Sequence, residues 1–229
     1  MKKLMIVGTG ITAIRVYDFI KQYNLYEIVG FVVDKEYKIV DTFCELKVYS
    51  FEELEKKYKK DEIELFIAIY WNNLNKDRKE MFYKVKERGY KLANLVSPNS
   101  IIRGRILGEN CWIQDYVIFD TGATIKNGVS LAGHTNIGHH SEIGSFIHIA
   151  GKATLGGECI VNDQVFIGLN ATVLDGVTIE EKSIIGAGTV IKRNVKKNTV
   201  CKLDKSNIII KTYPENIIES KLVSNKNIR

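Results

Sequence analysis

The sequence predicts two fold classes in one chain, a small parallel α/β domain over residues 1–97 and a parallel β-helix over residues 98–196. Two observations lead to this prediction. Short apolar segments alternate with amphipathic ones over the first hundred residues, and a glycine-rich turn follows the first of them. Beyond that point, every sixth residue from Ile101 to Ile191 is apolar, which gives sixteen positions in register.

The first domain is predicted from alternating strands and helices. The predicted strands are Lys3–Val7, Ile28–Val33, Leu65–Tyr70 and Lys91–Val96, and the predicted helices are Ile14–Tyr23, Phe51–Lys60 and Lys76–Arg88. Strands that alternate with helices imply a parallel sheet with right-handed crossovers. We therefore expect a small Rossmann-like domain here.

A glycine turn joins the first strand to the first helix. Residues 8–13 have the sequence GTGITA, which fits the pattern GxGxxA, and such a turn exposes backbone N–H groups to phosphate. Asp34 ends the second predicted strand, where an acidic residue often contacts a ribose hydroxyl. Ninety-seven residues supply only one mononucleotide-binding half, which favours a nucleotide-sugar over NAD. A glycine turn with a purely structural role remains the alternative.

The sixfold period fits neither an α-helix nor an alternating strand, and it is typical of a β-helix. The apolar anchors are Ile101, Leu107, Ile113, Phe119, Ile125, Leu131, Ile137, Ile143, Ile149, Leu155, Val161, Ile167, Val173, Ile179, Ile185 and Ile191. Three short strands form one triangular coil, so the block holds a little over five coils and is roughly 25 Å long. Glycines that directly follow an anchor are expected to provide unusual corner dihedrals: Gly108, Gly138, Gly144, Gly156, Gly168 and Gly186.

The register fails at Lys197, where we expect the β-helix to end. Residues 197–229 are then a C-terminal cap and tail. Asn207–Leu222 is apolar enough to cover the last coil, which would otherwise be an open edge, and Ser224–Arg229 is expected to be disordered.

Composition limits the remaining function classes. No apolar run reaches eighteen residues, so no membrane span is predicted. The net charge is +6 without an aromatic-interleaved basic patch, which disfavours nucleic acid and suits a polyanionic ligand. The spacing of the four cysteines fits neither a CxxC motif nor a disulfide framework: Cys44, Cys111, Cys159 and Cys201. We therefore expect them to be reduced and to bind no metal, and we expect the protein to be cytoplasmic.

All four histidines fall within fifteen residues: His134, His139, His140 and His148. His139 and His140 follow an anchor by two and three positions, which places them at a corner outside the core. We expect their adjacent side chains to diverge, and no further ligand has convincing zinc spacing. Neutral imidazole, with an ordinary pKa of about 6.5, suits a general base, and backbone N–H groups at the corners could hold an oxyanion.

These repeats resemble the bacterial hexapeptide-repeat acyltransferases, which form left-handed parallel β-helices and are usually homotrimers with acyl-CoA between adjacent prisms. With the small domain in front, residues 1 to about 195 are similar to the sialic acid O-acetyltransferase / nucleotide-4-amino-sugar N-acetyltransferase family. The resemblance implies an acetyl-CoA-dependent N-acetyltransferase acting on a UDP- or dTDP-linked 4-amino-4,6-dideoxy sugar.

The resemblance also implies roles for individual residues. His139 matches the catalytic base, and His140 stands where the family often has a carboxylate. Glu142 or an acid from a neighbouring subunit could replace that carboxylate, or His140 could share the role of base. The implied nucleotide-sugar residues are Gly10, Ile11, Thr12, Asp34, Lys35 and Asn72, and the implied CoA residues are His148, Gly157, Leu169 and Ala187. The family's closing Gly-x-Pro-Ala stretch is missing, because Asn198–Lys205 stands in its place.

Three alternatives remain open at this stage. Sugar O-acetylation would use the same base. A non-enzymatic β-helix module would not bind acetyl-CoA and would leave the histidine cluster unexplained. A γ-class carbonic anhydrase would require three zinc-binding histidines across a subunit interface.

Overall fold

A computed structural model describes residues 1–69 and 71–203 of the chain. The predicted cap over Asn207–Leu222 and the predicted disordered tail over Ser224–Arg229 lie outside the described residues. The described chain forms a six-stranded sheet with helices, followed by three flat sheets of short parallel strands.

The N-terminal sheet has the strand order β3-β4-β2-β1-β5-β6. Its strands are β1 (Lys3–Val7), β2 (Glu27–Val33), β3 (Thr42–Phe43), β4 (Leu46–Ser50), β5 (Ile63–Ile67) and β6 (Lys91–Leu92). All neighbours are parallel except the β3–β4 hairpin, which confirms the predicted parallel α/β class. That hairpin was not predicted, because its strands are short and lack a distinctive apolar run.

Three α-helices cover this sheet: α1 (Ile11–Tyr23), α2 (Phe51–Lys57) and α3 (Lys76–Glu87). Helix α1 begins directly after Gly10, three residues earlier than predicted, and buries Ala13, Val16, Phe19 and Ile20. Helix α2 begins with a capping box in which Ser50 and Glu53 satisfy each other's backbone N–H. Short 3₁₀ turns lie at Lys35–Tyr37 and Asn72–Asn75.

The second half is a three-sided prism of stacked two-residue strands. Its first face contains Leu95–Val96, Trp112–Ile113, Ser130–Leu131, His148–Ile149, Phe166–Ile167, Ile184–Ile185 and Val200–Cys201. Its second face contains Ile101–Ile102, Ile118–Phe119, Asn136–Ile137, Thr154–Leu155, Thr172–Val173 and Val190–Ile191. Its third face contains Arg105–Ile106, Thr124–Ile125, Glu142–Ile143, Ile160–Val161 and Thr178–Ile179.

The prism core confirms the sixfold register over most of its length. All fourteen predicted anchors from Ile113 to Ile191 are buried and form one apolar cluster. The two earliest are wrong, since Ile101 and Leu107 are about half exposed. Ile102 and Ile106 occupy the inward positions instead. They pair with the buried anchors Phe119 and Ile125 of the next coil. The first coil therefore departs from the strict period.

The unusual backbone dihedrals at the corners do not lie at the residue directly after each anchor, as predicted, but two residues further on. The residue three positions after each buried anchor from Ile113 to Ile185 has a positive φ, and most of these residues are not glycine; His140, with φ 55°, is one of them. The glycines directly after the anchors do not have positive φ. They are needed because coils approach closely there: a Cβ on Gly138 would lie 2.4 Å from the carbonyl carbon of Gly156.

The prism continues beyond its predicted end at Lys197. Val195 bridges to Ile179, and Val200–Cys201 pairs with Ile184–Ile185. The inward positions after Ile191 are thus Val195 and Cys201, two residues earlier than a strict period would place them. The apolar pattern fails at Lys197 because the corner after Ile191 is shorter, not because the prism ends there.

The two halves are packed against each other. The predicted strand Lys91–Val96 is divided, with Lys91–Leu92 in the N-terminal sheet and Leu95–Val96 as the first strand of the prism. Helix α3 and its preceding turn lie along the edge between the third and first faces. There Asn75 donates to the Phe146 carbonyl at 2.8 Å, and Lys79 donates to Gln164 at 3.2 Å.

Candidate active site

The central feature is a pair of exposed histidines on the edge between the second and third faces. The Nδ1 atoms of His139 and His140 lie 3.2 Å apart, and their rings meet edge to face. The expectation that these side chains diverge is wrong. The left-handed backbone of His140 turns its ring back toward its neighbour.

Two glycines on neighbouring coils make room for these rings. A Cβ on Gly157 would lie 2.4 Å from Cε1 and Nε2 of His139, and a Cβ on Gly122 would lie 2.6 Å from Cδ2 of His140. The His139 carbonyl also accepts a hydrogen bond from Glu158 N at 2.7 Å. The His139 ring therefore lies over the Gly157 backbone, one coil further along the prism.

The acidic group beside the pair is Asp120, which the sequence analysis missed. Its pKa is lowered by hydrogen bonding from the Thr121 N–H and by the charges of Arg103 and His139. One coil is eighteen residues long, so this register places Asp120 against Gly138, which directly precedes His139. Glu142, the acid considered from the sequence, is exposed on the third face.

The predicted CoA residues occupy three separate places in one chain. Gly157 lies at the histidine pair, whereas Leu169 and Ala187 are exposed one coil apart on the edge between the first and second faces. His148 lies on the first face, where its ring contacts both Trp71 and Phe166, with centroids 5.5 and 5.6 Å away, and the Trp71 and Phe166 rings are 4.5 Å from each other. Burial lowers the pKa of His148 to about 3, helped by the charges of Arg78 and Arg15, so this ring is neutral.

A second feature is an open cavity of about 650 Å³ beside the glycine turn. Four predicted nucleotide-sugar residues line it together: Gly10, Ile11, Thr12 and Asp34. Lys35 and Asn72 are not among its lining residues. As the N-cap of α1, Gly10 has no side chain to occupy the first N–H groups of the helix, which leaves them available to an anion.

Asp34 has a fixed partner in this cavity. Its carboxylate accepts a hydrogen bond from Lys84 of α3 at 2.6 Å. Tyr37, Asp77 and Glu80 complete the polar lining. A cavity of this size, with a helix N-terminus and a few fixed polar groups, suits a nucleotide.

Cys111, Cys159 and Cys201 pack in the core of the prism, and Cys44 packs against an apolar cluster of the N-terminal domain. Cys111 and Cys159 are buried, and burial raises the pKa of Cys111 to about 12, so that it is a thiol at neutral pH. Within residues 1–69 and 71–203, no three histidine, cysteine or acidic side chains are grouped closely enough to bind a metal ion. None of the helices in that part of the chain has the length and apolar character needed to cross a bilayer.

Comparisons with known proteins match both halves of the chain. Residues 3–85 match the PglD N-terminal domain, and residues 159–193 match the hexapeptide repeat of succinyl-transferase. A curated 2,3,4,5-tetrahydropyridine-2,6-dicarboxylate N-succinyltransferase from Polynucleobacter asymbioticus is 27% identical over 110 residues, which are 44% of this chain and 40% of that protein. The chain thus spans about two fifths of the length of this relative.

Solved structures of acetyltransferases share the whole fold. The acetyltransferase domain of PglB from Neisseria gonorrhoeae has a TM-score of 0.75 at 22% identity, covering 87% of this chain and 96% of that one. PerB from Caulobacter crescentus, in complex with CoA and GDP-perosamine, has a TM-score of 0.75 at 21% identity, covering 87% and 93%. A complex of the PglB domain with acetyl coenzyme A matches with a TM-score of 0.73 at 20% identity, covering 85% and 92%. The predicted Rossmann-like domain and left-handed parallel β-helix are confirmed.

Proposed function

We propose that this chain, whose two halves match the PglD N-terminal domain and the hexapeptide repeat of succinyl-transferase, is an acetyl-CoA-dependent N-acetyltransferase of a nucleotide-linked 4-amino-4,6-dideoxy sugar. The observation that carries the proposal is the exposed histidine pair at 3.2 Å on a prism edge. The chain supplies a base and an anion-accepting cavity, and the solved relatives bind acetyl-CoA or CoA.

One of the two tautomeric arrangements of this histidine contact suits a base. If Nδ1 of His139 carries the proton, it donates to the Nδ1 lone pair of His140, which then has its own proton on Nε2. Nε2 of His139 is left with a free lone pair. It takes the proton of the sugar amine as the amine nitrogen forms its bond to the thioester carbonyl carbon.

The same contact stabilises the imidazolium that forms. After Nε2 of His139 is protonated, Nδ1–H still donates to His140, and Asp120 supplies negative charge nearby. The carbon–sulfur bond then breaks, and the imidazolium proton neutralises the departing CoA thiolate. The products are the acetamido sugar and CoA, with the base regenerated.

The cavity beside Gly10 is the proposed nucleotide site. The diphosphate would lie at the N-terminus of α1, and Asp34 would accept from a ribose hydroxyl while Lys84 holds it in place. UDP and dTDP sugars are the expected substrates. The PerB complex contains GDP-perosamine, so a guanine nucleotide belongs in the same test.

The proposed enzyme acts as a homotrimer. Leu169 and Ala187 lie on a different edge from His139, so a CoA molecule that contacts all three would lie between two copies of the chain. The second face joins these two edges and exposes the apolar side chains of Ile118 and Val190, at 38% and 53% exposure. Light scattering should therefore give a mass about three times 26.0 kDa.

The test measures CoA release and product mass with acetyl-CoA and a panel of UDP-, dTDP- and GDP-linked sugars. Each 4-amino sugar is paired with its 4-hydroxy counterpart. N-acetylation predicts an acetamide product from the amino sugars only. Acetylation of the hydroxy sugars would favour the sialic-acid type of O-acetyltransferase, and no CoA release from any sugar, with no binding of acetyl-CoA, would favour a non-enzymatic module.

A further inference from the structure

A small cavity of about 20 Å³ lies between the N-terminal domain and the first face of the prism. It is separate from the histidine edge, and it adjoins the nucleotide cavity only where Thr12 and Ile69 line both. Its volume accommodates one or two water-sized groups. A phosphate group does not fit.

Three buried polar atoms of residues that line this cavity lack hydrogen-bond partners among the described residues. Four buried polar side-chain atoms in the described part of the chain have no hydrogen-bond partner, and three belong to residues that line this cavity: Thr12 Oγ1, Arg78 Nε and Trp112 Nε1. Arg78 and Trp112 are each only 6% exposed. Two of these atoms can only donate, and the hydroxyl can also donate.

The cavity also carries uncompensated positive charge. Arg78 makes one hydrogen bond, from Nη1 to Asn75 Oδ1 at 3.2 Å, and no carboxylate pairs with it among the described residues. The Arg15 guanidinium lies over the Trp112 ring, 5.3 Å from its centroid. The described lining residues include no acidic side chain, and the neighbouring His148 is neutral.

We propose that this interdomain cavity binds a single small anion of the size of chloride, held by Arg78, Trp112 and Thr12. A buried guanidinium without a counter-charge is strongly unfavourable, and a water molecule satisfies its N–H groups without compensating its charge. The anion links Thr12 of α1 and Arg78 of α3 to Trp112 of the prism. It therefore stabilises the docking of the two domains.

Thermal unfolding of the full chain tests this in sodium chloride and in sodium gluconate at equal ionic strength, because gluconate is too large for the cavity. The melting temperature should rise by about 3 °C or more per tenfold increase in chloride above its dissociation constant. It should not rise in gluconate. Arg78→Met and Trp112→Phe should each remove the chloride dependence, whereas Arg88→Met should keep it, since Arg88 pairs with Glu55 at the end of the same helix.

Crystals of the full chain grown in sodium bromide give an independent readout. A bromide anomalous peak within hydrogen-bond distance of Arg78 Nε and Trp112 Nε1 is expected. Ordered water only at this position, together with equal melting temperatures in the two salts, would overturn the proposal. Chloride dependence that survives in both Arg78→Met and Trp112→Phe would also overturn it, because the anion would then bind elsewhere.

Discussion

The Nδ1 atoms of His139 and His140 lie 3.2 Å apart on an exposed edge of the prism, within hydrogen-bond distance of each other. In the proposed mechanism His140 is a positioning residue, because its Nδ1 lone pair accepts from Nδ1–H of His139 and leaves Nε2 of His139 free. The pair is the part of the site with the clearest consequences for activity.

Replacing His140 should weaken the base without removing it. We expect His140→Ala to lower kcat by roughly tenfold, less than the ~10²-fold or more expected for the base itself, with the KM for acetyl-CoA little changed. His140→Glu should recover the activity and shift the acidic limb of the pH–rate profile, because His139 acts only when it is deprotonated and a carboxylate beside it makes it more basic. Glu142→Ala is the matched control; if it lowers kcat while His140→Ala does not, the acid on the third face supports the base.

Gly157 should be required for the position of the His139 ring. A methyl group at residue 157 would lie 2.4 Å from Nε2, so we expect Gly157→Ala to displace the ring and lower kcat by about 10²-fold. Gly176→Ala is a matched control on the same edge, because its added Cβ meets nothing within 4 Å. That control has a positive φ and should lose only about 1 kcal/mol of stability. Equal kcat in the two variants would contradict the assigned role.

Substitution of Asp34 should change the KM for the nucleotide-sugar and not the KM for acetyl-CoA. Removing a charged hydrogen-bond acceptor should raise the KM for the nucleotide-sugar by roughly 10- to 100-fold in Asp34→Ala, with the KM for acetyl-CoA unchanged. Asp41→Ala, a substitution of a carboxylate that is 93% exposed, is the control and should change neither constant. A rise in the acetyl-CoA KM alone would place CoA, rather than the nucleotide, at this cavity.

His148 should make folding stability depend on pH. Its native pKa of about 3 lies below the ordinary value near 6.5, so between these values the unfolded chain binds a proton that the native chain excludes. Stability is complete above about pH 6.5 and falls as the pH decreases toward 3, by about 1–2 kcal/mol at pH 5. Urea unfolding at pH 7 and pH 5 should show this loss in the parent and in His134→Phe, and a smaller loss in His148→Phe. An equal loss in all three proteins would contradict the buried, neutral ring.

The prism was predictable from the sequence because its anchors repeat independently of tertiary context. The prediction failed where the corners change length: Ile102 and Ile106 replace two expected anchors, and Val195 and Cys201 arrive two residues early. The sequence also located the glycines that follow the anchors, but it did not reveal why glycine is required there. Close approach of the next coil, rather than positive φ, requires glycine after the anchor.

The site was predictable only in part, because the sixfold pattern places residues on faces and edges without showing side-chain direction. It located His139 and His140 at a corner but did not reveal that the left-handed backbone of His140 brings the rings together. Asp120 could have been found by counting back one coil of eighteen residues from Gly138, which directly precedes His139. The burial of His148 beneath Trp71 could not, since it depends on how the two halves pack.

The most direct test of the central claim is the turnover of His139→Ala with acetyl-CoA and the nucleotide-amino sugar identified in the substrate panel. Calorimetry on the same variant measures the affinity for each substrate. We expect kcat to fall by ~10²-fold or more while both affinities and the melting temperature stay close to those of the parent. A kcat within a few-fold of the parent value would contradict the assignment of His139 as the base.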